Sequence, residues 1–425
     1  AVSLTSTGAV TLRNMVIANG SADAVNANSV TSLTLDNDSI VGHANGHGVR
    51  GNSLGGLTLT HSSVRNNATA AGVETTDTWN MRLTELTGTA TVQNSKINTS
   101  RETVFGIINN SGALTLNITN TNITDTDAAA PGANGLQINA YGSSTINATL
   151  TNDSIARTRA RGITMSNETG GSGSITLNVS NTKFADNFVG LEIAHASSGT
   201  ATYNFDGNDF QRHGSIPINV NRAGSPSFSA FGNFTGTIQN NTIGTTGVLN
   251  SGTSTSSDGI HVESNGSGGN TRVAIVNNTV RQVGQYGIYL AVIDTKMGGS
   301  AQPAVEARVQ GNNVGEIKTT GLDGLRVVPG ALSGDHGRIC LDVINNTLAG
   351  STGAGPAYGW RIRTASLLSP QINPAPTIQL KGWNGSDAFA TYAVNRPNTL
   401  SGKDGTAIES HAGGSLAAVA SCNTP

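Results

Sequence analysis

The sequence predicts an all-β fold: a parallel β-solenoid of about twelve coils, followed by an irregular C-terminal cap. Three observations lead to this prediction. An Asn-x-x-aliphatic pattern recurs at intervals of 23 to 37 residues, short stretches of alternating apolar and polar residues flank each copy, and no window shows the 3.6-residue apolar period of a helix. Strands at such a period, without crossover helices, stack coil on coil and do not form a doubly wound sheet.

The recurring unit centres on one apolar anchor, as in Asn37-Asp38-Ser39-Ile40. Three copies carry His61, Gly207 or Gly311 in place of the Asn. The twelve anchors are residues 17, 40, 64, 97, 123, 155, 184, 210, 243, 280, 314 and 348. Asn and Gly tolerate the left-handed backbone of a tight turn, and stacked Asn amides can hydrogen-bond between coils. We therefore expect this Asn to form both the turn and an amide ladder.

Two kinds of strand accompany each anchor. An alternating strand such as Leu33-Thr34-Leu35 lies upstream, and a Gly-aliphatic-x-aliphatic stretch such as Gly190-Leu191-Glu192-Ile193 lies downstream. Alternation with a period of two sends one set of side chains to the interior and the other to solvent. Each period therefore predicts two or three short strands around a core of small aliphatic side chains.

These repeats resemble those of the right-handed parallel β-helix family, which includes pectin-type lyases and hydrolases, phage tailspikes, autotransporter passengers and bacterial surface proteins. The resemblance covers roughly residues 10 to 350. It rests on variants of the combination G-I-x-I … L-x-L-x-N-N-T-I, which recur about twelve times. It implies a right-handed parallel β-helix, placed here at residues 1–350, and leaves the function open because one fold carries many functions.

The repeat ends near residue 350, and residues 351–425 are expected to form the cap that a solenoid needs over its last coil. The sequence holds two cysteines, Cys340 on the last regular coil and Cys422 in the tail. We expect a disulfide between them that clips the tail to that coil, with two free thiols as the alternative. A disulfide would place the protein outside the cytoplasm. Ala1 begins inside a strand-like run, so we also expect an upstream portion.

Composition and charge exclude several function classes. With 24 Lys+Arg against 26 Asp+Glu, the net charge is −2, whereas a nucleic-acid binder needs a basic face. No stretch approaches 18 consecutive apolar residues, so no membrane span is expected. His43, His47 and His61 are close enough in sequence to suggest zinc, but turn histidines are the commoner case. We predict neither a metal nor a cofactor.

The exterior changes character along the chain. The outward residue of the upstream strand is neutral through the first nine copies: Thr11, Thr34, Thr58, Thr91, Asn117, Thr149, Asn178, Asn204 and Thr237. In the last four coils, outward positions around the Gly-aliphatic-x-aliphatic stretch gather Asp258, His261, Tyr286, Tyr289, Asp323, Arg326 and Arg361. This gathering is the most enzyme-like feature of the sequence.

Two roles are assigned to these residues. Asp258 and Asp323 stand two coils apart, about 9.6 Å by strand spacing, close to the carboxylate separation of about 6.5–9.5 Å in inverting glycosidases. They are the candidate catalytic residues together with Arg326, which is suited to hold a uronate carboxylate. His261, Tyr286, Tyr289 and Arg361 are the candidate glycan-binding residues, with tyrosine rings that stack on sugars. Ordinary turn and strand-edge residues are the alternative interpretation.

The pectinase-like hydrolases of the resembled family carry a tandem Asp-Asp followed by Gly-His-Gly. Gly46-His47-Gly48 supplies the second string, but no Asp-Asp occurs in this sequence. We therefore favour a secreted bacterial surface or extracellular-matrix protein, a rod-like adhesin or fibre segment whose partner is a polysaccharide or cell-surface glycan. A polysaccharide lyase or glycoside hydrolase is the alternative. Head-to-tail self-association is also expected, because the strand edges of a terminal coil are unpaired unless capped.

Overall fold

The computed structural model describes residues 1–69, 79–127, 132–168, 170–222, 232–265, 270–293, 304–318, 321–330, 337–353, 356–363, 377–410 and 415–425. The chain divides into two compact units, Ala1–Glu192 and Ile193–Pro425. The regular structure of the described residues consists of β-strands and one short helix, which confirms the predicted all-β class. No helix in these ranges is long and apolar enough to cross a bilayer.

The strands of the first unit are short apart from four of 12 or 13 residues. They are β1 (Val2–Arg13), β2 (Val16–Ala18), β3 (Val25–Asp36), β4 (Ser39–Val41), β5 (Val49–Thr60), β6 (Ser63–Arg65), β7 (Met81–Gln93), β8 (Lys96–Ser100), β9 (Phe105–Asn109), β10 (Ala113–Thr119), β11 (Asn122–Thr126), β12 (Leu136–Ala140), β13 (Thr145–Thr151), β14 (Ser154–Ala156), β15 (Arg161–Asn167), β16 (Ser174–Ser180), β17 (Lys183–Ala185) and β18 (Val189–His195).

The second unit has three strands per coil, two of which are joined into one long strand in the first four coils of the first unit, and it adds the helix. Its elements are β19 (Ala201–Asp206), β20 (Asp209–Gln211), β21 (Ile218–Arg222), β22 (Phe234–Gln239), β23 (Thr242–Ile243), β24 (Ile260–Asn265), β25 (Asn270–Val276), β26 (Thr279–Val280), β27 (Ile288–Ile293), β28 (Ala304–Gln310), β29 (Asn313–Val314), β30 (Leu325–Val328), β31 (Arg338–Ile344), β32 (Thr347–Ala349), β33 (Tyr358–Arg363), β34 (Thr377–Lys381), α1 (Phe389–Asn395), β35 (Thr399–Ser401), β36 (Gly405–Ser410) and β37 (Ser415–Val419).

Equivalent strands of successive coils pair in parallel within each unit. In the first unit the anchor strands stack in the order β2, β4, β6, β8, β11, β14 and β17. In the second unit the order is β20, β23, β26, β29, β32 and β35. The two remaining strands of each coil form their own parallel stacks, for example β21, β24, β27, β30, β33 and β36. This stacking confirms the predicted parallel β-helix.

The twelve predicted anchors all point into the core. Ile17 is 7% exposed and the other eleven are 0% exposed. The residue three places before each anchor has positive φ in every copy, between 50° and 67°. Asn, Gly and, in one copy, His61 occupy this position, as expected for the left-handed conformation. The predicted turn chemistry of the repeat is confirmed.

The turn Asn itself bonds between coils as expected in two places, Asn37 to Asn14 at 2.7 Å and Asn120 to Asn94 at 3.4 Å, but the continuous buried ladder lies one residue later. In the second unit, each backbone N–H and side-chain Nδ2 of the following residue donates to the Oδ1 of its equivalent in the next coil, at 2.9–3.1 Å. This ladder comprises Asn208, Asn241, Asn278, Asn312, Asn346 and Asn398. The left-handed residue turns its own side chain to solvent, so the next side chain points inward and meets its equivalents.

The first unit builds the corresponding ladder from other polar residues. The N–H groups of Met15, Thr121 and Asp153 donate to Asp38, Asp153 and Thr182, at 2.8, 2.8 and 3.3 Å. Burial raises the pKa of Asp153 to about 7, although N–H donors from Thr121 and Thr151 oppose the shift. A carboxylate or hydroxyl accepts the turn N–H as an amide does, so the ladder does not require Asn.

A second left-handed turn follows the anchor strand and was not predicted from the sequence. Two residues after the anchor, φ is positive at positions that include Asn19, Gly42, Asp125, Arg157 and Glu316. The anchor strand is therefore flanked by left-handed residues on both sides in these coils. Because the residue type varies from coil to coil, no consensus marks this turn in the sequence.

The outward side of the stack β1, β3, β5, β7, β10, β13 and β16 carries the predicted neutral column, in continuous register. The column consists of Thr11, Thr34, Thr58, Thr91, Asn117, Thr149 and Asn178. The flanking outward positions are also uncharged in the later coils, with Thr89, Thr115, Asn147 and Thr176 on one side and Gln93, Thr119, Thr151 and Ser180 on the other. We call these columns the threonine face.

Parallel pairing continues beyond residue 350, where the sequence shows no repeat. Strand β35 pairs with β32, and Leu400 takes the anchor position at 8% exposure. Helix α1 interrupts the rhythm before β35, and Pro397 stands where earlier coils have Asn, Gly or His, so the pattern is not visible in the sequence. Regular coils thus extend into the segment 351–425 assigned to the cap. Pro370, Pro374 and Pro376, a cluster that favours irregular structure in this segment, lie outside the described residues.

The C-terminal tail is attached to strand β31 by the predicted disulfide. Cys340 and Cys422 are bonded, with a Cα–Cα distance of 5.7 Å across a sequence separation of 82. Next to this bond, Glu306 is buried and pairs with Arg272 and Arg338 at 3.0 Å each. Asn423 of the tail donates to the same carboxylate at 3.5 Å. The tail is held by a covalent bond and by polar contacts together.

Asn278→Ala should destabilise the second unit by roughly 2–4 kcal/mol, because it leaves buried partners in two neighbouring coils without hydrogen bonds. Asn278 Oδ1 accepts from Asn241, and its Nδ2 donates to the Ile238 carbonyl at 2.8 Å. Asn277→Gly is the matched control, since it keeps the left-handed turn and should change stability by less than about 1 kcal/mol. Hydrogen exchange of the surrounding coils measures both. Equal effects would show that the ladder has no special role.

Reduction, or Cys422→Ser, should loosen the coils after about residue 340 first and leave the first unit protected. The bond closes a loop of 82 residues, which corresponds to ~4.5 kcal/mol on the chain-entropy model. Each coil rests mainly on its neighbours, so the damage stays local. Hydrogen exchange with and without reductant tests this. Uniform loss of protection along the chain would contradict it.

Candidate functional site

The predicted site residues meet on one side of the second unit. His261, Tyr289, Arg326 and Arg361 occupy the same position on strands β24, β27, β30 and β33, in continuous register from coil to coil. Their side chains therefore form one column. Parallel strands hold neighbouring members of such a column about 4.8 Å apart.

Asp258 and Asp323 perform the same structural task two coils apart. The Oδ1 of Asp258 accepts the N–H of Tyr286 in the next coil at 3.2 Å, and the Oδ1 of Asp323 accepts the N–H of Tyr358 at 3.0 Å. The Oδ2 atoms contact the residue three places later: Asp258 meets His261 at 2.8 Å, and Asp323 meets Arg326 at 3.1 Å. Each aspartate thus joins two coils at the turn before the glycine.

Burial separates these aspartates from solvent. The side chain of Asp323 is 0% exposed and that of Asp258 is 7% exposed. Burial raises the pKa of Asp323, while Arg326 and the Tyr358 N–H oppose this shift. The predicted two-coil separation is present, but the Asp323 carboxylate faces protein groups and not an open groove. Their assignment as catalytic residues, with Arg326, stays an untested prediction, and the contacts describe turn stabilisation.

His261 lies between two carboxylates. Its Nδ1 is 2.8 Å from Asp258 Oδ2, and its Nε2 is 3.4 Å from Glu263 Oε2. Burial by itself lowers the pKa of His261, but the hydrogen bonds to Asp258 and Glu263 outweigh it and raise the pKa to about 9. The imidazole is therefore a cation at neutral pH, and both ring nitrogens donate.

Aromatic rings and guanidinium groups continue the column. The His261 ring lies 4.7 Å from that of Tyr289, and Tyr289 stacks on Tyr286 at 5.4 Å with an interplanar angle of 12°. Arg326 lies over the Tyr286 ring at 5.6 Å. In the next coil, Arg361 lies over Tyr358 at 5.4 Å. We call His261, Tyr286, Tyr289, Arg326, Tyr358 and Arg361 the aromatic–arginine stripe.

The positive charge of this stripe is unevenly compensated. His261 and Arg326 have carboxylate partners at 2.8 and 3.1 Å. Arg361 and Arg363 form no ion pair with the residues that the structure describes. Arg326 and Arg361 are register neighbours, so their like charges repel. Burial lowers the pKa of Arg326, and the charges of Arg361 and Arg363 lower it further. The C-terminal end of the stripe is therefore suited to an anion.

Sequence reasoning did not select Glu263, Tyr358 or Arg363. Glu263 is the next outward residue after His261 on β24, two places along the strand, and Arg363 follows Arg361 in the same way. A period of two would have identified both, because alternate residues share a face. Tyr358 precedes a glycine, as Tyr286 does, and that shared position is its signal.

The histidines of the first unit serve as turn residues. His43 Nδ1 lies 2.8 Å from the Ala22 carbonyl, and His47 Nδ1 lies 2.6 Å from the Trp79 carbonyl. Within the described ranges, no group of three or more His, Cys, Asp or Glu side chains is arranged to hold a metal ion.

Comparison with known proteins returned no matching family model, no matching curated protein and no matching solved structure.

The charge on His261 should make the second unit less stable at alkaline pH. Its folded-state pKa of about 9 exceeds the ordinary value of 6.5. A raised pKa contributes stability that is complete below pH 6.5 and is lost as the pH rises through about 9. NMR titration of the His261 ring should give a midpoint near 9, and Asp258→Asn should lower that midpoint. A midpoint of about 6.5 in the native protein would refute the arrangement.

Proposed function

We propose that this chain is a rod-like segment of a secreted bacterial surface or extracellular-matrix protein, an adhesin or fibre segment that binds an acidic glycan. One observation carries the proposal: the aromatic–arginine stripe, in which stacked tyrosine rings lead to Arg361, a guanidinium that has no carboxylate partner among the described residues. The stripe extends over consecutive coils, so it suits an extended polymer better than a compact small molecule.

The chemistry of the stripe matches a sugar acid. Tyrosine rings offer apolar faces for the C–H faces of sugar rings, and their hydroxyls remain available for hydrogen bonds. Burial raises the pKa values of Tyr286 and Tyr289, so both hydroxyls stay protonated at physiological pH. A guanidinium binds a carboxylate with two parallel hydrogen bonds. Arg361, with Arg363 beside it, would take the carboxylate, and the tyrosines would take the rings.

Binding without catalysis fits the geometry of the carboxylates better than hydrolysis or elimination. A general acid or base must come within hydrogen-bond reach of the substrate. Both oxygens of Asp323 accept hydrogen bonds from Arg326 and the Tyr358 N–H, and its side chain is fully buried. The Cys340–Cys422 disulfide supports an extracytoplasmic location, where disulfides persist.

Self-association stays a prediction. Val16 is 76% exposed and Met15 is 37% exposed, and in the first unit β1 has one described neighbour, β3. A coil stacked on β1, from a second copy or from a preceding part of the protein, would cover these side chains and pair that strand edge. Sedimentation analysis of the chain reports the oligomeric state.

A panel of acidic and neutral polysaccharides tests the proposed function. The chain should bind polymers that carry carboxylates, and Arg361→Ala and Tyr289→Ala should each weaken binding by roughly tenfold, the value of one charge-assisted or stacking contact. Arg65→Ala, which removes an exposed arginine from β6, is the control and should bind normally.

The same incubation distinguishes binding from catalysis. Release of reducing ends or of unsaturated uronates, lost in Asp258→Asn or Asp323→Asn, would establish the lyase or hydrolase alternative. Absence of binding to every polymer in the panel would refute the glycan proposal.

A further inference from the structure

The threonine face of the first unit has chemistry that its structural role does not explain. The hydroxyls of Thr11, Thr34, Thr58, Thr91 and Thr149 form no hydrogen bond with any residue that the structure describes. These side chains are half-buried or exposed, and each repeats at the same position of its coil. A hydroxyl with a role in the core or in a turn would be hydrogen-bonded within the fold. These hydroxyls are therefore available to an external partner.

The spacing of the face is that of a two-dimensional lattice. Parallel strands place successive coils about 4.8 Å apart, and alternate residues along one strand are about 6.6 Å apart. The Thr11-to-Thr34, Thr34-to-Thr58 and later pairs keep continuous register across seven strands, with one bulge beside Gly56. Threonine is β-branched and stiff at χ1, so hydroxyl and methyl groups hold their positions in this lattice.

The charge of the face selects the kind of partner. Arg13 and Asp36 are the charged residues in its described columns, and they neutralise each other at 2.8 Å at one end. An uncharged array fits an uncharged partner and offers nothing to a polyanion or polycation. The columns also contain no aromatic residue, so a crystalline polysaccharide would lack the ring stacking that usually holds it.

We propose that the threonine face binds ice. Its hydroxyls would take lattice positions of water at the crystal surface, and its methyl groups would fill the space between them. A single hydrogen bond to ice contributes little free energy, because it replaces a hydrogen bond to liquid water. The binding free energies of many contacts held in one rigid register add up, because the face loses little conformational entropy when it meets the crystal. This function is separate from glycan binding by the second unit.

The experiment uses the full chain in two assays, inhibition of ice recrystallisation and thermal hysteresis. The wild-type chain should be active in both. Thr91→Tyr and Thr34→Tyr should each lower activity by roughly tenfold, because a ring at the centre of the face lifts its neighbours out of contact. Thr84→Tyr is the matched control: it lies on the same strand β7 but beyond the left-handed residue Glu85, and should keep full activity. Circular dichroism verifies that each variant is folded.

Three results would overturn the proposal. One is a wild-type chain without effect on ice, and another is full activity in a folded Thr91→Tyr variant. The third is binding to insoluble cellulose or chitin that Thr91→Tyr abolishes, with no effect on ice, which would assign the face to a polysaccharide. Arg361→Ala should leave the ice assays unchanged, so failure here is distinguishable from failure of the glycan proposal.

Discussion

The buried hydrogen bond from each turn N–H to a side chain of the next coil is the interaction on which both units depend. A left-handed residue reverses the chain and turns the next side chain inward, where it must find a partner or leave a polar group unsatisfied in the core. The equivalent turn of the next coil supplies that partner. Asn serves best because its Oδ1 accepts from the preceding coil while its Nδ2 donates both to a carbonyl of that coil and to the Asn of the next coil, as Asn278 does. The ladder therefore imposes one register on every coil.

That register determines what the surface can be. Because strand position is the same in every coil, any residue type that recurs in the repeat becomes a column on the exterior. The first unit thus displays the threonine face, and the second displays the aromatic–arginine stripe. The two surfaces differ in chemistry although the backbone beneath them is alike. In this fold, the side chains at the outward positions determine the function.

The two aspartates show how the register alone brings like side chains to equivalent places. Asp258 and Asp323 recur at one turn position, and recurrence alone places two carboxylates two coils apart. Their contacts link neighbouring coils. One carboxylate oxygen accepts an N–H of the next coil, and the other contacts a cationic side chain three residues later. The distance on which the catalytic prediction rests is twice the pitch of the solenoid, so spacing alone does not distinguish catalysis from turn stabilisation.

Sequence alone determined the fold class, the positions of the twelve anchors, the left-handed turns before them and the partner of Cys340. These features depend on local chemistry repeated many times or on a single pair of thiols, and both can be recognised in the sequence. The tertiary structure decided which residue of the turn forms the ladder, that coils continue to Leu400 after α1, and that Asp323 is buried. Each of these depends on side-chain direction or on contacts between coils far apart in sequence, where residue type does not report the environment. The second left-handed turn stayed hidden for the same reason, since Asn, Gly, Asp, Arg and Glu all adopt it where neighbouring coils hold the backbone in place.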